Sequence, residues 1–505
     1  MLPMAQDNSL NVAMFSAEAV PYVKVGGLAD MVGSLAKVLD YEGARVLLVL
    51  PAYRSISRSH HNIRPYEALP GFDMALRHHR IHAEVFHTVM PHSGVDVFLL
   101  GGGDLFQRDG IYDDPRTKEG YPDNMERFVF FMRAGLELLL RLERRVDVVH
   151  CHDSQTGLIP GLLRLNCGSH PRFSQAGVLF TIHNLAYQSI YPKEALLLAG
   201  LDESRYFHAG SPFEFWGKVN CIKAGIEYAD QVNTVSETYA LEIQSSPEYG
   251  YGLEGVLRRR NGDLSGIVNG IDYHAWNPET DPLLPAHFSS PDHPGKAVCK
   301  RELLKAFGLP QPERRLPLVG MVSRLVAQKG FDLIEQVKDR LGSMDLQMVV
   351  LGTGQQKYHD LLQEMAAQYP LRFAFQSGFD ESLAHRVFAG SDILLMPSKY
   401  EPCGLNQLYS LRYGTVPVVR ATGGLVDTVT DYDPATEAGT GFRFYPYDGR
   451  EMLAALERAL RVYSDAPRWT KLAARGMAED WSWEESARKY LSLYWKIYHK
   501  RHPRD

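Results

Sequence analysis

Short apolar runs of strand length alternate along this chain with segments that carry apolar residues at helical spacing. The first cycle begins with a run at 10–15, passes through a glycine loop and an apolar stripe from Leu28 to Leu39, and continues with a run at 45–50. Apolar runs without strict polar alternation are typical of parallel strands that are covered on both faces. The repeated order of strand, loop, helix and strand therefore predicts α/β domains built on doubly wound parallel sheets.

The pattern occurs twice. Strands are predicted at 10–15, 45–50, 146–151, 178–183, 231–235 and 265–268, and again at 316–323, 346–351, 372–375, 393–396 and 416–419. A stretch rich in Pro, Ser, Asp and His at 280–295 is predicted to be an exposed connection, and 480–499 an apolar helix. We expect two Rossmann-like domains at 1–270 and 271–480, with ligands bound in a cleft between them, and a closing segment at 481–505 that docks on the first domain.

Composition narrows the class of protein. The chain has 505 residues, of which 45% are hydrophobic and 23% charged, so it can bury two or three cores. No apolar run approaches the roughly 18 residues that a membrane helix needs. The net charge of −6 argues against a nucleic-acid partner. Five cysteines without a C-x-x-C pair, and no secretory pattern near Met1, predict a reducing, cytoplasmic location.

A glycine loop follows the first predicted strand. In the segment Lys24-Val-Gly-Gly-Leu-Ala-Asp30, Gly26 and Gly27 let the backbone approach a ligand closely. The helix that follows offers free N–H groups to an anion, and Lys24 adds a full positive charge. We interpret the loop as an anion-binding site, the alternative being an ordinary turn with a surface lysine.

Two further strands of the first half end in polar residues. The segment His150-Cys-His-Asp153 contains residue types that bind zinc. Strand alternation, however, turns Cys151 away from the two histidines, and the sequence has no second ligand cluster. No metal site is therefore predicted. Asp153 is interpreted as a substrate-positioning carboxylate, with a helix N-cap as the alternative. His183 and Asn184 end the next strand, where His183 is a candidate catalytic residue or a structural histidine. No G-x-S-x-G elbow supports serine-hydrolase chemistry.

Cationic and glycine-rich loops follow strands of the second half. In Ser323-Arg-Leu-Val-Ala-Gln-Lys-Gly330, Arg324 and Lys329 flank a turn that opens a helix and would suit a diphosphate; the alternative is two surface cations. The Gly352-Thr-Gly354 loop lacks the dinucleotide fingerprint, because Lys357 stands where glycine is required. A Rossmann dehydrogenase is therefore disfavoured.

The segment 397–408 is the last candidate site loop. Glu401 lies between Pro and Gly residues, where a carboxylate can accept hydrogen bonds from sugar or ribose hydroxyls. Cys403 is interpreted as packed or ligand-lining rather than nucleophilic, because it has no histidine partner in the sequence nearby. A third glycine turn, Thr422-Gly-Gly424, follows the strand at 416–419.

Together these motifs resemble those of the bacterial glycogen synthases and plant starch synthases, which are ADP-glucose-dependent, retaining glucosyltransferases of the GT-B fold. The matching segments, in family order, are Lys24–Asp30, Thr181–Tyr187, Ser323–Gly330, Glu401–Leu405 and Thr422–Thr428. Each motif alone would be weak evidence, but the set is specific.

The resemblance implies a set of site residues. The candidate catalytic residues are His183, Asp153, Glu401, Arg324 and Lys329. The candidate substrate-binding residues are Lys24, Gly26, Gly27, Asp30, Asn184, Gly354, Phe379, Cys403, Gly404, Thr422, Gly423 and Gly424. By the same resemblance, Lys24 binds ADP-glucose, and Asp30 and Phe379 lie near the adenine.

The remaining roles follow from the family in the same way. Asp153 and His183 are expected to line the donor glucose, Arg324 and Lys329 to hold the diphosphate, and Glu401 to lie beside the transferred sugar. The implied reaction moves glucose from ADP-glucose to the non-reducing 4-hydroxyl of an α-1,4-glucan such as glycogen, and releases ADP. No cofactor, metal ion, nucleic acid or membrane is expected to take part.

Three positions depart from the family pattern. Ser154 stands where many relatives have Trp, and Asn406 where Thr is frequent. Tyr409 occupies the second position of the Glu-x7-Glu pair that the wider retaining superfamily often carries. The alternatives to glycogen synthesis are a UDP-sugar transferase of the same fold and a catalytically silent carbohydrate-binding protein; the latter should have lost cations that this chain keeps.

Overall fold

The computed structural model describes residues 9–77, 79–168, 170–378 and 380–503, which form two compact units. The first unit comprises the described residues within 1–235, 240–267 and 483–505. The second unit comprises the described residues within 236–239 and 268–482. No helix in the described ranges is both long and apolar enough to cross a membrane.

The strands are β1 (Asn11–Phe15), β2 (Arg45–Pro51), β3 (Arg64–Pro65), β4 (Gly71–Leu76), β5 (His79–Val89), β6 (Asp96–Leu100), β7 (Val148–His152), β8 (Gly177–Ile182), β9 (Ile190–Tyr191), β10 (Glu214–Phe215), β11 (Lys218–Asn220), β12 (Gln231–Thr234), β13 (Leu264–Gly266), β14 (Leu318–Val322), β15 (Gln347–Gly352), β16 (Phe373–Ser377), β17 (Ile393–Met396), β18 (Val416–Arg420) and β19 (Phe442–Phe444).

The helices are α1 (Gly27–Tyr41), α2 (Asn124–Arg141), α3 (Ile159–Leu165), α4 (Ala195–Leu198), α5 (Glu203–Tyr206), α6 (Cys221–Tyr228), α7 (Glu237–Ser245), α8 (Pro247–Gly250), α9 (Glu254–Arg259), α10 (Pro294–Ala306), α11 (Phe331–Gln336), α12 (Lys338–Ser343), α13 (Gln356–Gln368), α14 (Glu381–Gly390), α15 (Asn406–Arg412), α16 (Gly424–Thr428), α17 (Gly449–Tyr463), α18 (Ala466–Met477) and α19 (Trp483–Arg501).

The main sheet of the first unit has a parallel core in the order β6-β2-β1-β7-β8-β12-β13. The strand order reverses between β1 and β7, because β2 lies on one side of β1 and β7 on the other. In doubly wound sheets such a reversal leaves a crevice at the carboxyl ends of the strands, where ligands bind. The loops after β1, β7 and β8 therefore surround the expected site of this unit.

The second unit contains a six-stranded parallel sheet in the order β16-β15-β14-β17-β18-β19. Numbered from β14, this is the order 3-2-1-4-5-6 of the Rossmann fold, with the reversal between β14 and β17. The prediction of doubly wound parallel sheets is confirmed for both units.

An antiparallel extension of the first sheet was not predicted. There β5 pairs antiparallel with β6, and β3 and β4 pair with β5. Along β5 the buried Ala83 and Val85 alternate with the more exposed His82 and Glu84. A strand with one solvated face alternates in this way and therefore lacks the continuous apolar run that marks a strand covered on both faces.

The C-terminal helix α19 belongs to the first unit and packs against α1, β7 and β8. Gly177 at the start of β8 permits the close approach, because a Cβ at that position would overlap the Ile497 side chain. Tyr490 and Tyr494 of α19 are fully buried, so this helix is part of the core.

Candidate active site

A buried carboxylate holds the glycine loop between β1 and α1. Glu18 Oε2 accepts hydrogen bonds from the backbone N–H groups of Val25 and Gly26, the latter at 3.0 Å, and Oε1 accepts one from the Tyr112 hydroxyl at 2.5 Å. Burial raises the pKa of Glu18. Gly26 is the N-cap of α1, and the space where a Cβ would sit is open. The helix N-terminus is thus left accessible to a ligand.

The predicted residues Lys24, Gly26, Gly27 and Asp30 lie together at this helix N-terminus. Lys24 Nζ donates to Asp30 Oδ1 at 2.8 Å, and the two side chains are 36% and 24% exposed. Exposed pairs of this kind contribute only about 0–1 kcal/mol, so a ligand could draw the lysine away at little cost. The arrangement leaves Lys24 available to an anion that arrives from solvent.

Asp153 links the loops that follow β7 and β8. Its Oδ1 accepts hydrogen bonds from the backbone N–H of His183 at 2.7 Å and of Asn184 at 3.4 Å. Burial raises the pKa of Asp153 to about 7, and the nearby charge of Glu18 adds to that rise. The side chain makes no cap bond to the 3-10 turn that follows it, so the helix N-cap alternative is not what the structure shows.

Asp153 also has an unusual backbone conformation. Its φ of 59° lies in the left-handed region, which non-glycine residues adopt only at a cost in free energy. The bonds from its carboxylate to the next loop hold it in that conformation. Asn184 stabilises its own loop, because its Oδ1 accepts from the backbone N–H of Ala186 at 3.1 Å.

His183 lies against a second histidine. Its Nε2 is 3.0 Å from Nδ1 of His152, and burial lowers the pKa of His183 to about 3. His150 is fully buried in the same strand as His152, and the two rings are 3.9 Å apart between centroids. In the part of the chain that the structure describes, no group of three or more His, Cys, Asp or Glu side chains is placed to hold a metal ion.

The switch point of the second unit holds a largely buried ion pair. Lys329 Nζ lies 2.6 Å from Glu401 Oε2, and the side chains are only 18% and 8% exposed. The Ser398 hydroxyl donates to the same carboxylate oxygen at 2.9 Å. Residues from the ends of β14 and β17, together with Lys329, Ser398 and Asn406, line a small cavity beside this pair. The pair therefore lies where a doubly wound sheet binds its ligand.

Arg324 follows β14 and is exposed. Among the described residues its guanidinium makes no ion pair, so its five N–H donors are available to a ligand. Gly330 closes the same loop in a left-handed conformation, with φ 78°, and a Cβ there would overlap the carbonyl oxygen of Pro397. The loop that carries Arg324 and Lys329 therefore packs directly on the loop that carries Glu401.

The glycine turn after β18 supports Glu401 from the other side. Gly424 N–H donates to the carbonyl oxygen of Glu401 at 3.1 Å. Gly423 has φ 48°, and a Cβ there would overlap that same oxygen. Thr422 is fully buried beside them. The predicted residues Thr422, Gly423 and Gly424 thus form one assembly with Glu401.

Cys403 and Gly404 complete this loop without supplying a nucleophile. Burial raises the pKa of the Cys403 thiol to about 12, so the thiol is protonated at neutral pH. Gly404 has φ 74° and packs against Gln407, whose Nε2 donates to the carbonyl oxygens of Cys403 and Gly404 at 3.1 and 2.9 Å. Both residues shape the backbone around Glu401.

Some predicted residues lie apart from these groups or have packing roles. Gly354 pairs through its backbone with Leu325, and a Cβ there would overlap the Leu325 carbonyl. Asn406 Nδ2 donates to the Val322 carbonyl at 2.6 Å, so this amide ties α15 to β14. Phe379 lies outside the described residues.

The sequence motifs did not identify Glu18, Ser398 or His152. Glu18 follows β1 by three residues within an apolar segment. Its partners are two backbone N–H groups and the hydroxyl of Tyr112, which is distant in sequence, so they leave no sequence signal. Ser398 lies within the predicted loop at 397–408, and its position two residues after the end of β17 is the signal that could have identified it. His152 was considered only as a metal ligand.

Comparison with known proteins matches both units to glycosyltransferases. Residues 11–259 match the family model of the starch synthase catalytic domain, and residues 309–475 match that of the group 1 glycosyl transferases. Among similar proteins, the glycogen synthase of Koribacter versatilis is 45% identical over 98% of this chain and 99% of its own length. That of Geotalea daltonii is 45% identical over 96% of this chain and 98% of its own length.

Solved structures show the same likeness. The catalytic domain of starch synthase IV from Arabidopsis thaliana, bound to ADP and acarbose, matches with a TM-score of 0.88 and 34% identity. The match covers 97% of this chain and 99% of that one. Sucrose-phosphate synthase from Thermosynechococcus elongatus matches with a TM-score of 0.58 at 17% identity, which shows a shared fold.

Proposed function

The chain belongs to the family of bacterial glycogen synthases and plant starch synthases, and we propose that the loops described above carry out this family's reaction. The protein is a GT-B glycosyltransferase. It transfers glucose from ADP-glucose to the non-reducing 4-hydroxyl of an α-1,4-glucan, with retention of configuration and release of ADP.

The assignment of residues rests on the ion pair of Lys329 and Glu401 at the switch point of the second unit. A diphosphate leaving group needs positive charge near it, and Lys329 supplies an ammonium group. Arg324 supplies a guanidinium with a fork geometry that fits phosphate oxygens. We propose that these two cations hold the diphosphate of ADP-glucose and that Glu401 contacts the transferred glucose.

The first unit is proposed to bind other parts of the substrates. Lys24 is assigned to ADP-glucose and Asp30 to the vicinity of the adenine. Asp153 and His183 are assigned to the hydroxyl groups of the donor glucose. A neutral imidazole and a carboxyl group with a pKa of about 7 can both donate and accept hydrogen bonds, as sugar hydroxyls require.

The chemistry follows from the leaving group. The bond between glucose C1 and the phosphate oxygen breaks, and the cations stabilise the charge that develops on the diphosphate. The acceptor 4-hydroxyl attacks C1 from the same face through an oxocarbenium-like ion pair, and its proton passes to the departing diphosphate. Glu401 Oε2 is occupied by Lys329 and Ser398, which suits a positioning role better than attack on the sugar.

We also propose that the reaction needs no metal ion or other cofactor. In many phosphoryl and glycosyl transfers a divalent cation neutralises the phosphates. Here Arg324 and Lys329 would supply that charge. The proposed partners are ADP-glucose, ADP and a glycogen-like α-1,4-glucan.

The test is release of ADP from ADP-glucose by the full-length protein, with and without glycogen, with UDP-glucose as a parallel donor and with a chelator added. We expect release that depends on glycogen, prefers ADP-glucose and is unaffected by the chelator. A preference for UDP-glucose would overturn the donor assignment. No release with either donor would favour a silent carbohydrate-binding protein.

A further inference from the structure

A buried hydrogen-bonded chain runs from the C-terminal helix α19 to the end of β8. The Thr181 hydroxyl donates to Asn233 Oδ1, and Asn233 Nδ2 donates to the Thr234 carbonyl and to the Tyr490 hydroxyl, each at 3.1 Å. His150 Nε2 lies 2.6 Å from the Thr181 hydroxyl oxygen, so His150 belongs to the same set of hydrogen bonds. All of these polar groups are buried.

This set of hydrogen bonds determines which ring nitrogen of His150 carries the proton. The bond to the Thr234 carbonyl requires Asn233 to present its NH₂ group there, so Oδ1 faces Thr181. The single hydroxyl proton of Thr181 is used in that bond. His150 Nε2 must therefore be the donor to Thr181.

The other nitrogen of His150 then acts as an acceptor. Burial lowers the pKa of His150 well below its usual value, so the ring is neutral and Nδ1 is unprotonated. The Tyr494 hydroxyl, 2.8 Å from Nδ1, is its donor. His150 is thus fixed in one tautomer and one orientation by groups on three elements.

His152 packs on this fixed ring and is itself fully buried. Its Nδ1 is 3.0 Å from Nε2 of His183, whereas its Nε2 is buried with no hydrogen-bond partner among the described residues. Burial lowers the pKa of His152 well below its usual value, so the ring carries one proton. A buried N–H without an acceptor is rarer in proteins than a buried acceptor without a donor. The proton therefore belongs on Nδ1 and is donated to His183.

We propose that His152 is a positioning residue, which fixes His183 with its proton on Nδ1. His183 Nε2 accepts the hydrogen bond from His152, and its Nδ1–H is then the group left to donate to a sugar oxygen. A sugar hydroxyl can act as donor or acceptor, so the tautomer of His183 decides which role the hydroxyl takes. The inference rests on the proposed function, in which His183 contacts the donor glucose.

Two substitutions separate this role from simple packing. His152→Asn keeps an amide N–H close to the position of Nδ1–H, whereas His152→Leu fills a similar volume without a donor. We expect His152→Leu to lower kcat/KM for ADP-glucose by about 10-fold and His152→Asn by about 2-fold, as for the loss or retention of one hydrogen bond. Tyr494→Phe, which leaves His152 intact, is the control for disturbance of the buried network.

A spectroscopic measurement tests the proposal without relying on turnover. In protein labelled with ¹⁵N in histidine rings, long-range ¹⁵N–¹H correlation distinguishes a protonated from an unprotonated nitrogen, and His183→Asn identifies the His183 signals. We expect His183 to show a protonated Nδ1 and an unprotonated Nε2 in the wild-type protein, and to lose that pattern in His152→Leu.

The outcomes are distinguishable. A protonated Nε2 on wild-type His183, or equal losses of activity in His152→Asn and His152→Leu, would overturn the positioning role. If His152→Leu does not fold, the wild-type spectrum alone tests whether the proton of His183 lies on Nδ1. Failure of the wild-type protein to use ADP-glucose would overturn the proposed function. The ¹⁵N–¹H spectrum would still test the tautomer of His183, because that measurement does not depend on activity.

Discussion

Replacing Asp153 with Asn tests how much the fold is destabilised by this buried carboxylate. Burial raises its pKa from 3.8 to about 7, so between those values the folded protein keeps a proton that the unfolded chain releases. Stability is therefore lost as the pH rises from about 4 to about 7. Each pKa unit corresponds to about 1.36 kcal/mol, so the raised pKa destabilises the fold by about 4 kcal/mol at pH 8, where the folded carboxyl group is ionised. At pH 5, where the folded group keeps its proton and the unfolded chain releases it, the cost is about 2 kcal/mol.

Asparagine removes this destabilisation while keeping the acceptor. Its Oδ1 can accept the same two backbone hydrogen bonds from His183 and Asn184. We expect Asp153→Asn to be more stable than the wild type by up to about 4 kcal/mol at pH 8, with a gain about half as large at pH 5. The variant should also lose activity, because the proposed contact to the donor glucose requires the carboxyl group.

The assay is the midpoint of guanidinium unfolding, followed by circular dichroism at both pH values. Asp147→Asn is the matched control, because Asp147 is also buried but accepts hydrogen bonds from Arg145 at 2.7 Å and from the backbone N–H of Asn11 at 2.9 Å. Removing its charge should destabilise the protein at both pH values. The reasoning is refuted if Asp153→Asn is no more stable than the wild type at pH 8, or if its gain is the same at pH 5.

Three other outcomes follow from the site. Lys24→Ala should lower kcat/KM for ADP-glucose by about 100-fold with an unchanged circular dichroism spectrum, whereas alanine at the exposed Lys305 should have no effect. Cys403→Ser should keep most activity, and iodoacetamide at pH 8 should leave Cys403 unmodified in mass spectrometry, because a thiol with a pKa of about 12 is almost entirely protonated. Gly423→Ala should lower the unfolding temperature and the activity, since it forces a Cβ against the Glu401 carbonyl at a cost of about 1–3 kcal/mol.

The parallel sheets were predictable because their strands are buried on both faces. Such strands form continuous apolar runs in the amino-acid sequence. The predicted strand at 393–396 coincides with β17, and that at 45–50 with all but the last residue of β2. The hairpin strands β9, β10 and β11 were not predicted, since two or three residues carry no periodicity. Short strands therefore escaped the pattern because of their length, whereas the longer β5 escaped it because its burial alternates.

The candidate site was predictable where loop chemistry is local in sequence. Glycine turns and cations such as Lys329 lie directly after strands and can be found by position. Glu18 could not be identified in this way, because its role depends on backbone groups seven and eight residues away. The contact between His152 and His183 joins the last residue of β7 to the residue that follows β8, and it forms only when the two strands pair.

The proposed diphosphate site is best tested by the rate of ADP release by Arg324→Ala and Lys329→Ala, measured with ADP-glucose and glycogen in chelator-treated buffer. We expect each variant to keep its secondary structure and to lose about 10² to 10³ in kcat, as when one group that stabilises transition-state charge is removed. Near-normal rates in both variants would contradict the central claim that these two cations hold the diphosphate.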